Sequence, residues 1–295
     1  MTIEELYNQW RKTEYFDRVS AGYIRNINSA WKASTSLYTM KLSDLKAFHI
    51  KTLIDSIENP NSKERVKSMF NIMLDYALSL DLVDKNYSRN FKLDKSVEEL
   101  VEEQREPHIA FSEDEMKILW KYKDIGYVDI VLIQCYTGWR PQELGLLKME
   151  DVHLDENYIT GGMKTDAGKR RIVPIIPKIK GLVERRYEEA QKLNSDYIFN
   201  CTDTDPRQCK TGLKLTYDKY KYRYNNIIAM YGLNSKHRPH DPRVDFATRC
   251  KKNKVDEYAL KYIIGHKIRD ITESVYTERD HEWLYEELLK TEDSI

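Results

Sequence analysis

Apolar and polar positions along the chain divide it into two helical regions separated by a charged stretch. Over residues 1–94 apolar residues recur at helical spacing in four short blocks, 3–11, 20–33, 43–57 and 62–80. The last block is the clearest. Val66, Met69, Phe70, Met73, Leu74 and Ala77 fall on one face of a helix, and Asn59-Pro60-Asn61 reads as the break before it. From 95 to 107 the sequence KSVEELVEEQREP is charged and offers little to anchor a core, which marks a linker between domain 1–94 and domain 108–295. The second domain opens on FSEDEMKILW. There Ser112 and Glu115 stand at capping-box spacing, and Phe111 can staple to Met116. Helical patterning then runs to about Lys148. Over 152–176 it gives way to short β-prone runs split by Asp-Glu-Asn, Gly-Gly and Asp-Ala-Gly, the pattern of a small antiparallel sheet. From Lys178 onward the pattern is helical again, with loops near 203–206 and 237–242. The expected fold is mostly α with one small antiparallel β-sheet.

Composition narrows the class. No apolar stretch approaches membrane-spanning length, and the first residues lack the layout of a secretory signal, so the expected location is the cytoplasm. Four cysteines without CxxC pairing or zinc spacing read as reduced and structural, with no metal site and no cofactor. Lys+Arg and Asp+Glu both number 48, a balance that by itself argues against nucleic acid. The distribution of those charges along the chain points the other way. Residues 207–254 hold thirteen Lys/Arg against three Asp/Glu, and residues 270–295 hold nine acids against two bases. The first is a candidate anion-binding surface and the second an acidic tail.

One position poses a chemical question. Arg140 sits between Trp139 and Pro141 at the end of the apolar run 130–136, where a guanidinium is at least partly desolvated and needs an anion. Either the chain or a ligand supplies it. Downstream, RPHDPRVDFATRC places His240 and Arg243 three apart, on one helical face. YIIGHKIRDITESVYT places His266 after a glycine and Tyr276 ten residues later, and Lys164 lies in the turn of the expected hairpin.

These boxes resemble the tyrosine recombinase (phage-type integrase) family, as found in phages and in integrative or conjugative elements. TGWRPQEL resembles its TGxRxxEL box, MKTDAGKRRIVPI its lysine-bearing hairpin, HDPR its HxLR, and IIGHKIRDITESVYT its LGHxxxxxTxxxYxH. The resemblance implies a C-shaped DNA clamp, with a helical core-binding domain over 1–94 and a catalytic domain ending in a tail helix over 108–295. It implies Tyr276 as nucleophile, Arg140 and Arg243 as guanidinium forks on the scissile phosphate, and Lys164 as general acid. His240 and His266 complete the pocket, and Glu143 orients Arg140. The implied activity is cleavage and rejoining of DNA through a 3′-phosphotyrosine, for integration or excision of a mobile element. Its implied partners are double-stranded core sites, a homotetramer on synapsed DNA formed from free monomers, and accessory DNA-bending or directionality factors. A non-catalytic DNA-binding protein of the same fold and a type IB topoisomerase-like enzyme are the alternatives. Two departures carry expectations. Pro242 replaces the leucine of HxLR within a first helical turn, where proline is tolerated, and Asp245 is expected to weaken phosphate binding near Arg243. The tail, with Trp283, Leu284, Leu288 and Leu289 on one face, either folds back on its own domain or, as the family implies, docks in a neighbouring subunit.

Overall fold

The structure is a computed structural model that describes residues 1–94, 99, 107–163, 170–205, 207–208, 210, 212–268 and 280–294. The chain forms two compact units, Met1–Glu106 and Pro107–Ile295.

The first unit is helical. α1 (Ile3–Trp10) starts at a reciprocal box of Thr2 and Glu5, and α2 (Ala21–Lys32) is capped by Ser20. Two departures from the sequence pattern are instructive. The block at 43–57 is split, because Leu45 and Lys46 are extended; a 3-10 turn over Leu42–Asp44 precedes them and α3 (Ala47–Asp55) follows. The extended backbone at Leu45 accompanies complete burial of its side chain. The break before α4 (Pro60–Ser79) falls at 57–59, two residues earlier than expected: Asn59 Oδ1 accepts from Ser62 N at 3.1 Å, and Pro60 takes a first-turn position that needs no N–H. The apolar face of α4 from Val66 to Ala77 is fully buried, and Trp31 lies stacked between Tyr7 (3.9 Å) and Tyr38 (4.0 Å).

The second unit starts with α5 (Glu113–Lys121). Its capping box forms, with Ser112 N donating to Glu115 at 2.9 Å, and Phe111 and Met116 enter one core. α6 (Val128–Thr137) is buried along its whole length and forms the centre of this core, with α8 (Pro177–Lys192) and α10 (Asp241–Lys252) packed on it. The one acid in α6, Asp129, is neutralised by Arg186 through a two-pronged contact of 2.6 and 2.7 Å and by Arg185 at 2.7 Å. After the short α7 (Pro141–Leu144), the strands β1 (Val152–His153), β2 (Tyr158–Gly161) and β3 (Arg171–Pro174) make an antiparallel sheet in that order, with Gly161 opposite Arg171. α9 (Tyr217–Met230), α11 (Glu257–Ile263) and α12 (His281–Leu289) complete the unit.

Of the two expectations for the tail helix, the structure shows the fold-back on its own unit. α12 packs on β3 and α11 of its own unit with Leu284 and Leu288 fully buried. Glu287, on its acidic side, accepts from Asp256 N at the start of α11 at 2.7 Å. Beyond it, the Ser294 carbonyl accepts from Tyr136 Oη, Arg249 Nη1 and Lys178 Nζ at 3.0, 2.9 and 3.0 Å. An apolar face continuous with the core and a carbonyl held by three donors account for the folding back.

Candidate active site

The turn carrying Arg140 is set by Gly138, which closes α6 in the left-handed region at φ 65°. A side chain there would meet Phe246 Cδ1 at 2.5 Å, so both backbone and space call for glycine. The turn buries Trp139 and leaves Arg140 extended ahead of Pro141, the first residue of α7. The chain itself supplies an anion for Arg140. Glu143 accepts from Arg140 Nη1 and from the Arg140 backbone N, both at 2.9 Å.

Glu143 is shared. Arg171, whose side chain is 0 % exposed, donates to it through Nη2 at 2.6 Å and Nη1 at 3.2 Å and lies over the Trp139 ring at 4.2 Å. Burial raises the carboxyl pKa of Glu143, yet the Arg171 and Arg140 contacts outweigh it and hold the group below its usual range. In the sequence Arg171 reads only as part of a basic hairpin. No local pattern marks it out: in the run 171–176 every residue but Ile172 is buried, and Arg171 is the one charged residue of that run.

Arg243 is also buried. It donates from Nη1 to the Gly138 carbonyl at 2.7 Å and from Nη2 to the Ile264 carbonyl at 2.6 Å. Burial first, then the nearby charges of Arg140 and Arg171, bring its pKa down to about 9. The three carbonyls ending α11 thus serve as a rack: Ile263 accepts from Arg171 Nε at 2.7 Å, Ile264 from Arg243, and Gly265 from Arg140 Nη2 at 3.4 Å. The partial negative charge of a helix C-terminus suits this role. Gly265, left-handed at φ 66°, ends α11, with its N–H bonded to Tyr262 O and that of His266 to Lys261 O.

His240 sits at the head of α10, so that it and Arg243 share the first turn, and Pro242 is accommodated there. Burial, followed by the charges of Arg243, His108 and Arg140, lowers the His240 pKa to about 4. His266 is shifted down for the same reasons, burial first and then Arg243, Arg140 and Arg171. The structure therefore brings together Arg140, Glu143, His240, Arg243 and His266, and adds Arg171. Lys164 and Tyr276 lie outside the described residues.

Two expectations need correction. Asp245 does not face Arg243's polar end; it is buried in an ion pair with Arg249 at 2.6 Å, one helical turn on. The basic block 207–254 is also smaller as a surface than its sequence count. Arg223, Arg243 and Arg249 are buried, with Arg223 on Asp203 and Arg249 on Asp245.

The site thus gathers guanidiniums and a shared carboxylate beside two imidazoles whose pKa values are lowered. Comparisons with known proteins bear on the family and the fold. Residues 98–282 match the phage integrase family, a span that includes Lys164 and Tyr276. Tyrosine recombinase XerD of Listeria monocytogenes serotype 4b (strain F2365) is 30% identical over 148 residues, covering 48% of this chain and 46% of XerD, so the chain spans about half the length of that relative. Tyrosine recombinase XerA of Pyrococcus furiosus is 31% identical over 216 residues, 68% of this chain and 69% of XerA. Among solved structures, the Tn1549 transposon integrase in complex with circular intermediate DNA shares the fold, with a TM-score of 0.71 at 18% identity over 98% of this chain and 99% of that one. With the family's pattern matched over more than half its length, the chain belongs to the phage integrase family.

Proposed function

We propose that this protein is a site-specific DNA recombinase that cuts and rejoins strands through a 3′-phosphotyrosine at Tyr276, integrating or excising a mobile element. The observation that carries the reading is a charge imbalance. Arg140, Arg171 and Arg243 lie close enough to act on one another electrostatically, and among the described residues Glu143 is the carboxylate they share. A site built this way is completed by an anion such as a backbone phosphate. Arg140, partly open with a side chain 16 % exposed, and Arg243, held rigidly by carbonyls, stabilise the non-bridging oxygens as charge develops. With a pKa of about 4, His240 is neutral at pH 7 and acts as a hydrogen-bonding imidazole rather than a fixed cation. Lys164 protonates the departing 5′ oxygen. The phosphotyrosine conserves the bond energy, so resealing by the 5′ hydroxyl requires no ATP.

In this reading 1–94 is the core-binding domain. The partners are double-stranded core sites, three further copies of the chain on synapsed DNA, and accessory DNA-bending or directionality factors. A suicide-substrate assay tests it. The wild type traps a covalent protein–DNA adduct, while Tyr276→Phe binds DNA and forms none. An undiminished adduct in Tyr276→Phe refutes the assignment, and recombination between two sites separates a recombinase from a topoisomerase-like enzyme.

A further inference from the structure

Beside His240 the second unit contains a cavity of about 780 Å³ whose lining includes His108, Gln142, Lys221 and Arg238. His108 belongs to none of the family boxes and is the second residue of its unit. Its Nδ1 lies 2.6 Å from Asp241 Oδ1, and its ring centroid lies 4.9 Å from that of His240 at an interplanar angle of 42°.

The surrounding network fixes the proton on His108. Asp241 is buried, and although burial opposes ionisation, its contacts with His237, the Arg238 N–H and His108 hold it below the normal carboxylate range. An ionised carboxylate only accepts, so His108 Nδ1 carries the hydrogen. The other Asp241 oxygen takes Arg238 N at 2.9 Å and faces His237 Nδ1 at 3.2 Å, while His237 Nε2 faces Glu115 Oε1 at 3.2 Å. Glu115 is in turn the partner of Ser112 in the capping box of α5. Asp241 is thus immobilised on both sides, and it holds the His108 ring against His240, its own chain neighbour.

We propose that His108 is a positioning residue for His240: pinned by Asp241, its ring packs against the His240 imidazole and sets the direction in which that imidazole meets the DNA phosphate. The proposal rests on the recombinase reading above for its consequence but not for its geometry. The charged and titratable groups around His240 are Arg243 and Asp241 on α10, Arg140 before α7, and His108 itself; Lys221 and Arg238 line the same cavity.

Three substitutions separate the contributions. His108→Ala removes ring and donor, His108→Phe keeps the ring, and His108→Asn keeps a donor for Asp241. Single-turnover cleavage of a suicide substrate by the full chain is expected to fall by about 100-fold in His108→Ala, the scale of a misplaced catalytic group. DNA affinity stays within about threefold, since kcat-type loss without binding loss marks positioning. His108→Phe recovers most of the rate and His108→Asn little of it. The acid limb of the cleavage profile moves to higher pH in His108→Ala, because His240 loses part of the burial that holds its pKa down.

Wild-type rates in all three variants overturn the proposal, as does a loss of binding equal to the loss of cleavage. Should His108→Ala not fold, the other two variants, each keeping one contact, decide the matter by their rates. NMR titration of the His240 ring, free of DNA, supplies a readout independent of activity: an unchanged titration in the variants refutes the positioning role even if the wild type forms no adduct. Absence of an adduct in the wild type, with His240 titration shifted in the variants, refutes only the recombinase reading.

Discussion

Arg171→Met tests whether the pocket is held together by a shared carboxylate. Methionine roughly fills the space beside Trp139, so the loss is mainly electrostatic. The substitution removes two contacts to Glu143 (2.6 and 3.2 Å), one to the Ile263 carbonyl (2.7 Å) and the guanidinium over Trp139. Breaking a buried ion pair by deleting one partner costs about 3 to 5 kcal/mol. In a unit of this size each kcal/mol lowers Tm by about 2 to 4 °C, so the expected drop is about 10 °C in scanning calorimetry of the full chain. Cleavage should fall as well, because Glu143 then turns wholly to Arg140 and offsets the charge meant for phosphate. Adding Glu143→Gln separates the terms: with the buried carboxylate neutralised, the double variant should melt above Arg171→Met alone. A drop under about 2 °C for Arg171→Met, or a double variant no more stable than the single, would refute the shared-carboxylate account.

Three further outcomes follow from other parts of the second unit. Gly138→Ala forces a Cβ to within 2.5 Å of Phe246 at a left-handed position, so it should lower Tm and, by shifting the carbonyl that holds Arg243, reduce adduct formation at unchanged DNA affinity. Deleting residues after Asp280 should destabilise the whole unit, since Leu284 and Leu288 are fully buried and each is worth about 2 to 5 kcal/mol by the cost of Leu→Ala; a truncation with wild-type Tm would show the tail helix to be dispensable packing. His237 is buried between Asp241 and Glu115, and although burial opposes protonation, the two carboxylates raise its pKa. A raised folded pKa stabilises fully below the unfolded value of about 6.5 and loses that contribution as pH rises through the folded value. Glu115 and Asp241, both lowered, contribute fully above their unfolded values of about 4 and lose that contribution as pH falls through their folded values. The Tm difference between wild type and His237→Gln should therefore peak between about pH 4.5 and 6.5 and shrink on either side; a difference independent of pH contradicts the linkage.

The fold and the site are legible in the sequence where periodicity or a spaced motif maps directly onto one element. The face of α4, the capping box of α5, the small antiparallel sheet and the grouping of Arg140, Glu143, His240, Arg243 and His266 are of that kind. The sequence misleads where three-dimensional burial reassigns charge. Arg171 looks like one more cation in a basic hairpin, and the apolar run that follows it has no alternation to mark it as inward-facing. Arg223 and Arg249 inflate the apparent anion-binding surface because their acids, Asp203 and Asp245, are only a turn or a loop away and screen them internally. His108 and Asp241 are 133 positions apart, so no local pattern signals their contact. The break expected at Asn59-Pro60-Asn61 is shifted to 57–59 for a simpler reason, since a proline that interrupts a helix can also begin one.

The row of carbonyls ending α11 has a consequence for how the protein tolerates change. Ile263, Ile264 and Gly265 hold Arg171, Arg243 and Arg140 through backbone oxygens, so the identities of the two isoleucine side chains are irrelevant to those bonds. Point substitutions at 263 and 264 that keep the packing should leave the three arginines in register. A single inserted or deleted residue between 260 and 265 rotates successive carbonyls by about 100° each and withdraws all three sockets at once. In a library of variants this short segment should accept many replacements by similar apolar residues and almost no change of length, the reverse of what an ordinary surface turn permits.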